Sequence, residues 1–406
     1  MSKIDNLIQQ YCPEGVEYVK LGELCIKVCS GGTPSRGNGD YFTGTIPWLR
    51  TQEVDWKDIY DTEIKITEEA VKNSSAKLIP ENCVIIAMYG ATAGKAGINK
   101  IPLTTNQACC NLQIDSQKAL YKYVYYWVCN EYENIKSLGQ GSQNNINAQI
   151  VKDYPIPLPP LPIQEEIVRI LDTFSELQAE LQAELQARQL QYQYYRDQLF
   201  EFDGRKDIKF KKLGDVATDW YRGAGIKKDE VSEEGIPCIR YGEIHTTYNV
   251  WFEKCVSHTD ENLQPTKKYA ENGDILFAIT SEDIPMIGNS VAYLGKDKIL
   301  VGGDIVVMKH KQNPRYLSYA LSTSNAVMQK GKGKVKSKVV HTNVPSLKEI
   351  VIPIPSLEEQ ERIATILDNF DTLVNDLSQG LPAEIEARKQ QYEYYRDKLL
   401  TFKKKA

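Results

Sequence analysis

The chain has 406 residues, enough for two to three domains that each bury a core. About a quarter of the residues are charged and the net charge is −5, a balance that by itself speaks against nucleic acid unless a local patch reverses it. No apolar run reaches membrane-spanning length, and the start, MSKIDNLIQQ, does not read as a signal peptide. Nine scattered cysteines without a CxxC pair, and four histidines that all follow residue 240, point to a reducing cytoplasm and to no metal site.

In chain order, residues 1–12 read as a short amphipathic helix with Ile4, Leu7, Ile8 and Tyr11 on one face. EGVEYVKLGELC follows, and it recurs as KDIKFKKLGDVA from Lys206. IPWLRTQEV from Ile46 recurs as IPCIRYGEI from Ile236, and ENCVIIAMYG from Glu81 as ENGDILFAIT from Glu271. Each is a strand pattern entered from a turn. Helical stretches follow at 121–135 and 314–329. Both copies leave through a proline-rich exit, YPIPLPPLP and VIPIPSL, whose prolines should stop the sheet.

After each exit comes a long helix. The first carries apolar residues at Ile163, Ile167, Ile170, Phe174, Leu177 and Leu181, the alternating four-three steps of a coiled-coil seam. An LQAE, LQAE, LQAR repeat from Leu177 to Arg188 adds a four-residue step, which is a stutter. The second repeats the seam at Ile363, Ile366, Phe370, Leu373 and Leu377, then from Leu381 to Leu399. Gly380 and Pro382 should kink or briefly break it. Two matched copies in one chain favour an intramolecular pair. The expected segments are 1–160, 161–202, 203–355 and 356–406. The fold class is α+β: two similar globular units separated by two long helices in an antiparallel coiled coil, a circular internal repeat.

YGATAGKAG, Tyr89 to Gly97, misses a phosphate-binding loop, because the glycine spacing is one short and Ala96 replaces the magnesium-binding hydroxyl. It reads instead as a turn that points Tyr89, Thr92 and Lys95 outward. Lys330, Lys332, Lys334, Lys336 and Lys338 alternate through KGKGKVKSK, and in an extended segment they would line up for a row of phosphates. The alternative is a solvated loop. At the corresponding place in the first unit, Gln140, Gln143, Asn144 and Asn145 offer amides that pair bidentately with adenine, or else form an ordinary asparagine-rich turn. Arg240 and Tyr241 join the DNA-binding candidates. Neither a Ser-His-Asp nor a Cys-His constellation repeats, and the first unit has no histidine, so no catalytic residue and no cofactor is expected.

The order of these parts resembles the specificity subunit of type I restriction-modification enzymes. The resemblance rests on the L-G-[ED] entry, the G-A-T-x-G-K turn, Thr105-Asn106-Gln107, the P-[IL]-P exit, Gln164-Glu165-Glu166-Ile167 with Gln360-Glu361-Arg362-Ile363, and the Y-x-Y-Y-R-D tails. It implies two target recognition domains that each read half of a bipartite, asymmetric DNA sequence. It also implies spacer helices that set the gap, two docked methyltransferase (modification) subunits, restriction subunits that join that core, and no catalytic centre. Tyr194, Arg196, Tyr394 and Arg396, off or beside the seam, are candidates for that docking. The second unit departs from the pattern with ITSEDIPMIGN, Ile279 to Asn289, in place of the Gly/Lys turn. A methyltransferase would need a [DN]-P-P-[YF] segment, which is absent; a protein-binding coiled-coil adaptor is the other alternative.

Overall fold

The computed structural model describes residues 3–139, 145–332, 334, 338–375 and 380–405. The chain divides into two compact units: Met1–Glu180 with Ala387–Ala406, and Leu181–Glu386. Each unit therefore takes a globular part, the start of one long helix and the end of the other.

Both globular parts are built on the same five-stranded sheet. In the first, the spatial order is Cys25–Ser30, Cys109–Ile114, Val84–Ala87, Ala96–Asn99 and Asp58–Ile59. In the second it is Ala217–Arg222, Ile305–His310, Ile275–Ala278, Ser290–Tyr293 and Trp251–Phe252. The middle strands Val84–Ala87 and Ile275–Ala278 are buried on both faces, which is why they read as unbroken apolar runs. The last strand of each sheet pairs parallel and the other pairs are antiparallel. Even the register shift recurs, between Gln113 and Ile114 and between Ala217 and Asp219. Asn82 (φ 63°) and Gly273 (φ 89°) start the middle strands from the left-handed region that Asn and Gly tolerate. A second sheet, of four strands in the first unit and five short strands in the second, is built around Ile46–Leu49 and Leu103–Thr105, or Ile236–Ile239 and Ile299–Val301.

Two sequence expectations are corrected. The helical stretches break in two, as Tyr121–Asn130 with Tyr132–Ser137 and Pro314–Ser322 with Ser324–Gly331. The proline-rich exits do not stop the sheet. Pro155–Leu158 and Val351–Ile354 are strands that pair with the entries Glu17–Lys20 and Lys209–Lys212 in separate two-stranded ladders. Proline is tolerated there because neither ladder has a third strand to receive the missing N–H. As expected, the first long helix runs unbroken through the stutter, from Leu161 to Leu199. The second is described as Leu357–Asn375 and Leu381–Leu400, with Pro382 in the first turn, where its missing N–H costs nothing. Leu377 of the expected seam lies outside the described residues.

The helices pair antiparallel inside each unit. In the first, Ile163 and Ile167 share a core with Leu399 and Leu400, while Phe174 meets Tyr392 and stacks on Tyr395. In the second, Ile363 and Leu367 share a core with Phe200, while Phe370 meets Tyr195. Leu185 and Tyr192 are buried, so the seam continues past the repeat.

Two side chains, one buried and one half-buried, fasten each globular part to its helix. The Gln164 Oε1 accepts from Leu120 N (2.9 Å) and its Nε2 donates to Pro159 O (2.8 Å). Gln360 does the same with Asn313 N (3.0 Å) and Pro355 O (2.9 Å). Asp172 accepts from Lys122 and Tyr126, and Asp368 from Arg315, Tyr319 and Trp251. A buried amide or carboxylate left without partners is costly, so these bonds lock one geometry.

Candidate nucleic-acid interface

In the first unit, the strand Val84–Ala87 runs into a turn at Gly90–Thr92. Gly90 (φ 81°) and Gly94 (φ 87°) make that turn, and Tyr89 stands exposed on it. The returning end of the amide loop lies against it: Ile146 N donates to Met88 O (3.0 Å) and Gly90 N to the Asn145 Oδ1 (3.4 Å). Tyr89 and Asn145 are thus neighbours, whereas Gln140, Gln143 and Asn144 lie outside the described residues. The outward aim expected of Thr92 and Lys95 is corrected. The Thr92 hydroxyl donates to Thr51 O (2.9 Å), tying the turn to the Arg50 segment, and the Lys95 ammonium sits 2.5 Å from the Asp55 carboxylate. Both are half-buried, so each satisfies a partner within the fold before it can meet a ligand.

The second unit assembles the corresponding rim from different parts. The helix Tyr241–Thr246 carries Tyr241, exposed, and Arg240 just before it. His245 Nε2 hydrogen-bonds Thr280 O (3.0 Å), and the Thr280 hydroxyl meets His341 Nδ1 (3.2 Å). Where the first unit has its glycine turn, Thr280–Ser281 pairs instead with Val340–His341, at the end of the lysine segment. That segment does not present an aligned row. Lys330 lies inside the helix Ser324–Gly331, buried, with its ammonium on Leu321 O (2.8 Å). Burial away from any carboxylate pulls its pKa down to about 7. Lys332 caps that helix and is exposed, Lys334 folds back onto His341 O (2.7 Å), and Lys338 is exposed. Lys336 lies outside the described residues. The helix period won over the alternation of the lysines because Ala326 and Lys330, four apart, fall on the buried face.

On the long helices, Tyr194 (59% exposed) and Tyr394 (63% exposed) face outward. The arginines expected beside them turn inward. The Arg196 guanidinium lies over the Tyr192 ring and pairs with Asp197. Arg396 lies over Tyr392 and donates to Asn130. Sequence reading marked Gln164 and Gln360 only as members of a repeated motif and missed the half-buried Asp172 and Asp368, whose recurrence at matching places in both copies was the signal available. Among the described residues, no group of His, Cys, Asp and Glu could hold a metal, and no helix is long and apolar enough to cross a membrane.

A duplicated α+β scaffold that carries two differently equipped rims on one pair of long helices defines a two-site recognition protein. The type I restriction modification DNA specificity domain matches residues 13–188 and 205–387, and the chain belongs to that family. It is 35% identical over 305 residues to the type I restriction enzyme EcoR124I/EcoR124II specificity subunit of Escherichia coli, covering 71% of this chain and 73% of that one. It is 29% identical over 403 residues to the EcoprrI specificity subunit of Escherichia coli, covering 93% of each. In structure it resembles the type I restriction-modification S subunit from M. genitalium, with a TM-score of 0.53, 15% identity and coverage of 95% and 96%. A chain from work on "complex assembly and conformational transition of the type I R-M system" gives a TM-score of 0.65 at 17% identity, covering 95% and 97%. The chain is a type I specificity subunit whose two DNA specificity domains serve target recognition within a restriction-modification complex.

Proposed function

We propose that each globular part, 13–160 and 203–355, reads one half of a bipartite, asymmetric DNA target, and that the helical segments 161–202 and 356–406 set the gap. The observation that carries this is the repeat itself: one frame, fastened identically twice, holds two rims of different chemistry. Identical rims would serve identical sites, whereas different rims on one frame suit a target in two unlike pieces. The chain supplies recognition and no catalytic step. Two modification subunits dock on it, with Tyr194 and Tyr394 as exposed aromatic anchors, and restriction subunits join that core. The complex works in the cytoplasm, where its nine cysteines stay reduced.

Reconstitution with the modification subunits, followed by mapping of methylated positions on genomic DNA, tests the reading. The expected result is one motif with two specified halves and a fixed unspecified gap. A single contiguous motif, or methylation without sequence preference, would sink it.

A further inference from the structure

At one place the two units differ in a way that bears on what the second rim reads. In the first unit Asn106 and Gln107 follow the strand Leu103–Thr105, and Asn106 N donates to Leu49 O (2.9 Å). In the second, Gly302 and Gly303 follow Ile299–Val301, and Gly302 N donates to Ile239 O (2.9 Å), the matching bond. Gln107 accepts from the Thr33 hydroxyl, so side chains occupy this place in the first unit. The glycines leave it open. A cleft of about 790 Å³ results, lined among others by Arg222, Lys228, Arg240 and Tyr241. A Cβ on Gly302 would come within 3.1 Å of Ile239 O and 3.4 Å of the Arg240 Cα, so a side chain there would crowd the floor beside Arg240.

The equivalent arginines are used differently. Arg50 spends its guanidinium on Glu53 and Glu63. Arg240 keeps one longer contact in place of those two. Its nearest carboxylate, Glu243, lies 4.0 Å away and already accepts from Arg240 N and from the Ser257 hydroxyl. The Arg240 Nε is buried and makes no hydrogen bond. An unsatisfied buried donor costs stability unless a ligand completes it. Arg222, at the same cleft, is held by Asp304 (2.8 Å) and Gly303 O, and Lys228 is exposed.

We propose that Arg240 reads a guanine in the half-site taken by the second unit. This rests on the reading that the globular parts meet duplex DNA. Guanine offers O6 and N7 to one guanidinium fork; Gly302 and Gly303 leave room for the base edge, and Lys228 reaches a neighbouring phosphate. A phosphate contact would be needed by both units alike, because both half-sites share one backbone chemistry. An arginine held by two carboxylates in one unit and by one distant carboxylate in the other differs where the targets differ.

The test uses the whole complex with Arg240→Ala, Arg240→Lys or Arg50→Ala, reading the methylated motif and the salt dependence of DNA binding. Wild type should specify a G·C pair at one position of one half-site. Arg240→Ala should lose roughly 10- to 100-fold discrimination there, with the other half-site and the gap unchanged. Arg240→Lys keeps a charge beside Glu243, and so the fold, yet should relax the same position because the fork is gone. Arg50→Ala should leave every specified base as it was. If both Arg240 variants keep all bases but bind every sequence more weakly with a flatter salt slope, Arg240 is a phosphate anchor and the proposal fails. It also fails if neither bases nor salt slope change. A wild-type complex with no bipartite motif would instead overturn DNA reading by the globular parts as a whole.

Discussion

The two units agree where they are fastened and disagree where they are open. Gln164 and Gln360 tie the same proline-rich exit to the same helix start, and Asp172 and Asp368 each collect a tyrosine and a cation from the globular part. At the rims the parallels end. The glycine turn of one is a paired strand in the other, and Asn106-Gln107 becomes Gly302-Gly303. Even one matched feature diverges. Gly94 lies over Lys136, which donates to the Tyr132 hydroxyl; Gly288 lies over Lys330, which is buried onto a carbonyl. What positions the units is repeated, and what a ligand would touch is not.

The largest effect should come from the shared frame. Inserting one more LQAE after Glu184 adds about 6 Å of helix at roughly 1.5 Å per residue. At about 3.4 Å per base pair, that is one to two base pairs of gap. The added four-residue step is another stutter of the kind that Leu161–Leu199 already carries unbroken. A target series with gaps varied one pair at a time should therefore be methylated at a longer gap with both half-sites unchanged. A preferred gap that stays put would remove the helices as the ruler.

A smaller effect should separate the two matched lysines. Lys330 has its pKa lowered from the ordinary value of 10.5 to about 7 by burial. Between those values the unfolded chain binds more protons than the folded one, so stability should rise with pH across that window. Below about pH 7 both states carry the charge, and the full burial penalty remains. Lys330→Met should abolish the rise and stabilise the chain by on the order of a few kcal/mol at neutral pH. Lys136 is held protonated by its bond to Tyr132, and its pKa is raised, so Lys136→Met should leave the dependence from pH 7 to 9 in place. Melting temperatures across that range decide it; identical pH profiles for wild type and Lys330→Met would contradict the assignment.

The frame was legible in the sequence because it is written twice, and matched segments such as ENCVIIAMYG and ENGDILFAIT encode matched strands. Much of the candidate rims was not. Thr92, Lys95 and Lys334 look free in sequence, but each finds its partner 7 to 41 residues away, at Thr51, Asp55 and His341. Lys330 reads as part of a charged row, yet helix geometry turns it into the core. The different use of Arg50 and Arg240 depends on Glu63 and on two glycines more than 60 residues further on, which no local pattern reveals.

The claim that each globular part carries its own half-site is tested most directly by duplication. Residues 203–355 are replaced by residues 13–160, keeping both long helices, and the methylated motif of the reconstituted complex is mapped. The expected motif carries the first half-site in both of its halves and nothing of the second, because the matched exits and buried glutamines should seat either globular part on either helix. A motif that still contains the second half-site would contradict the assignment of one half-site to each globular part.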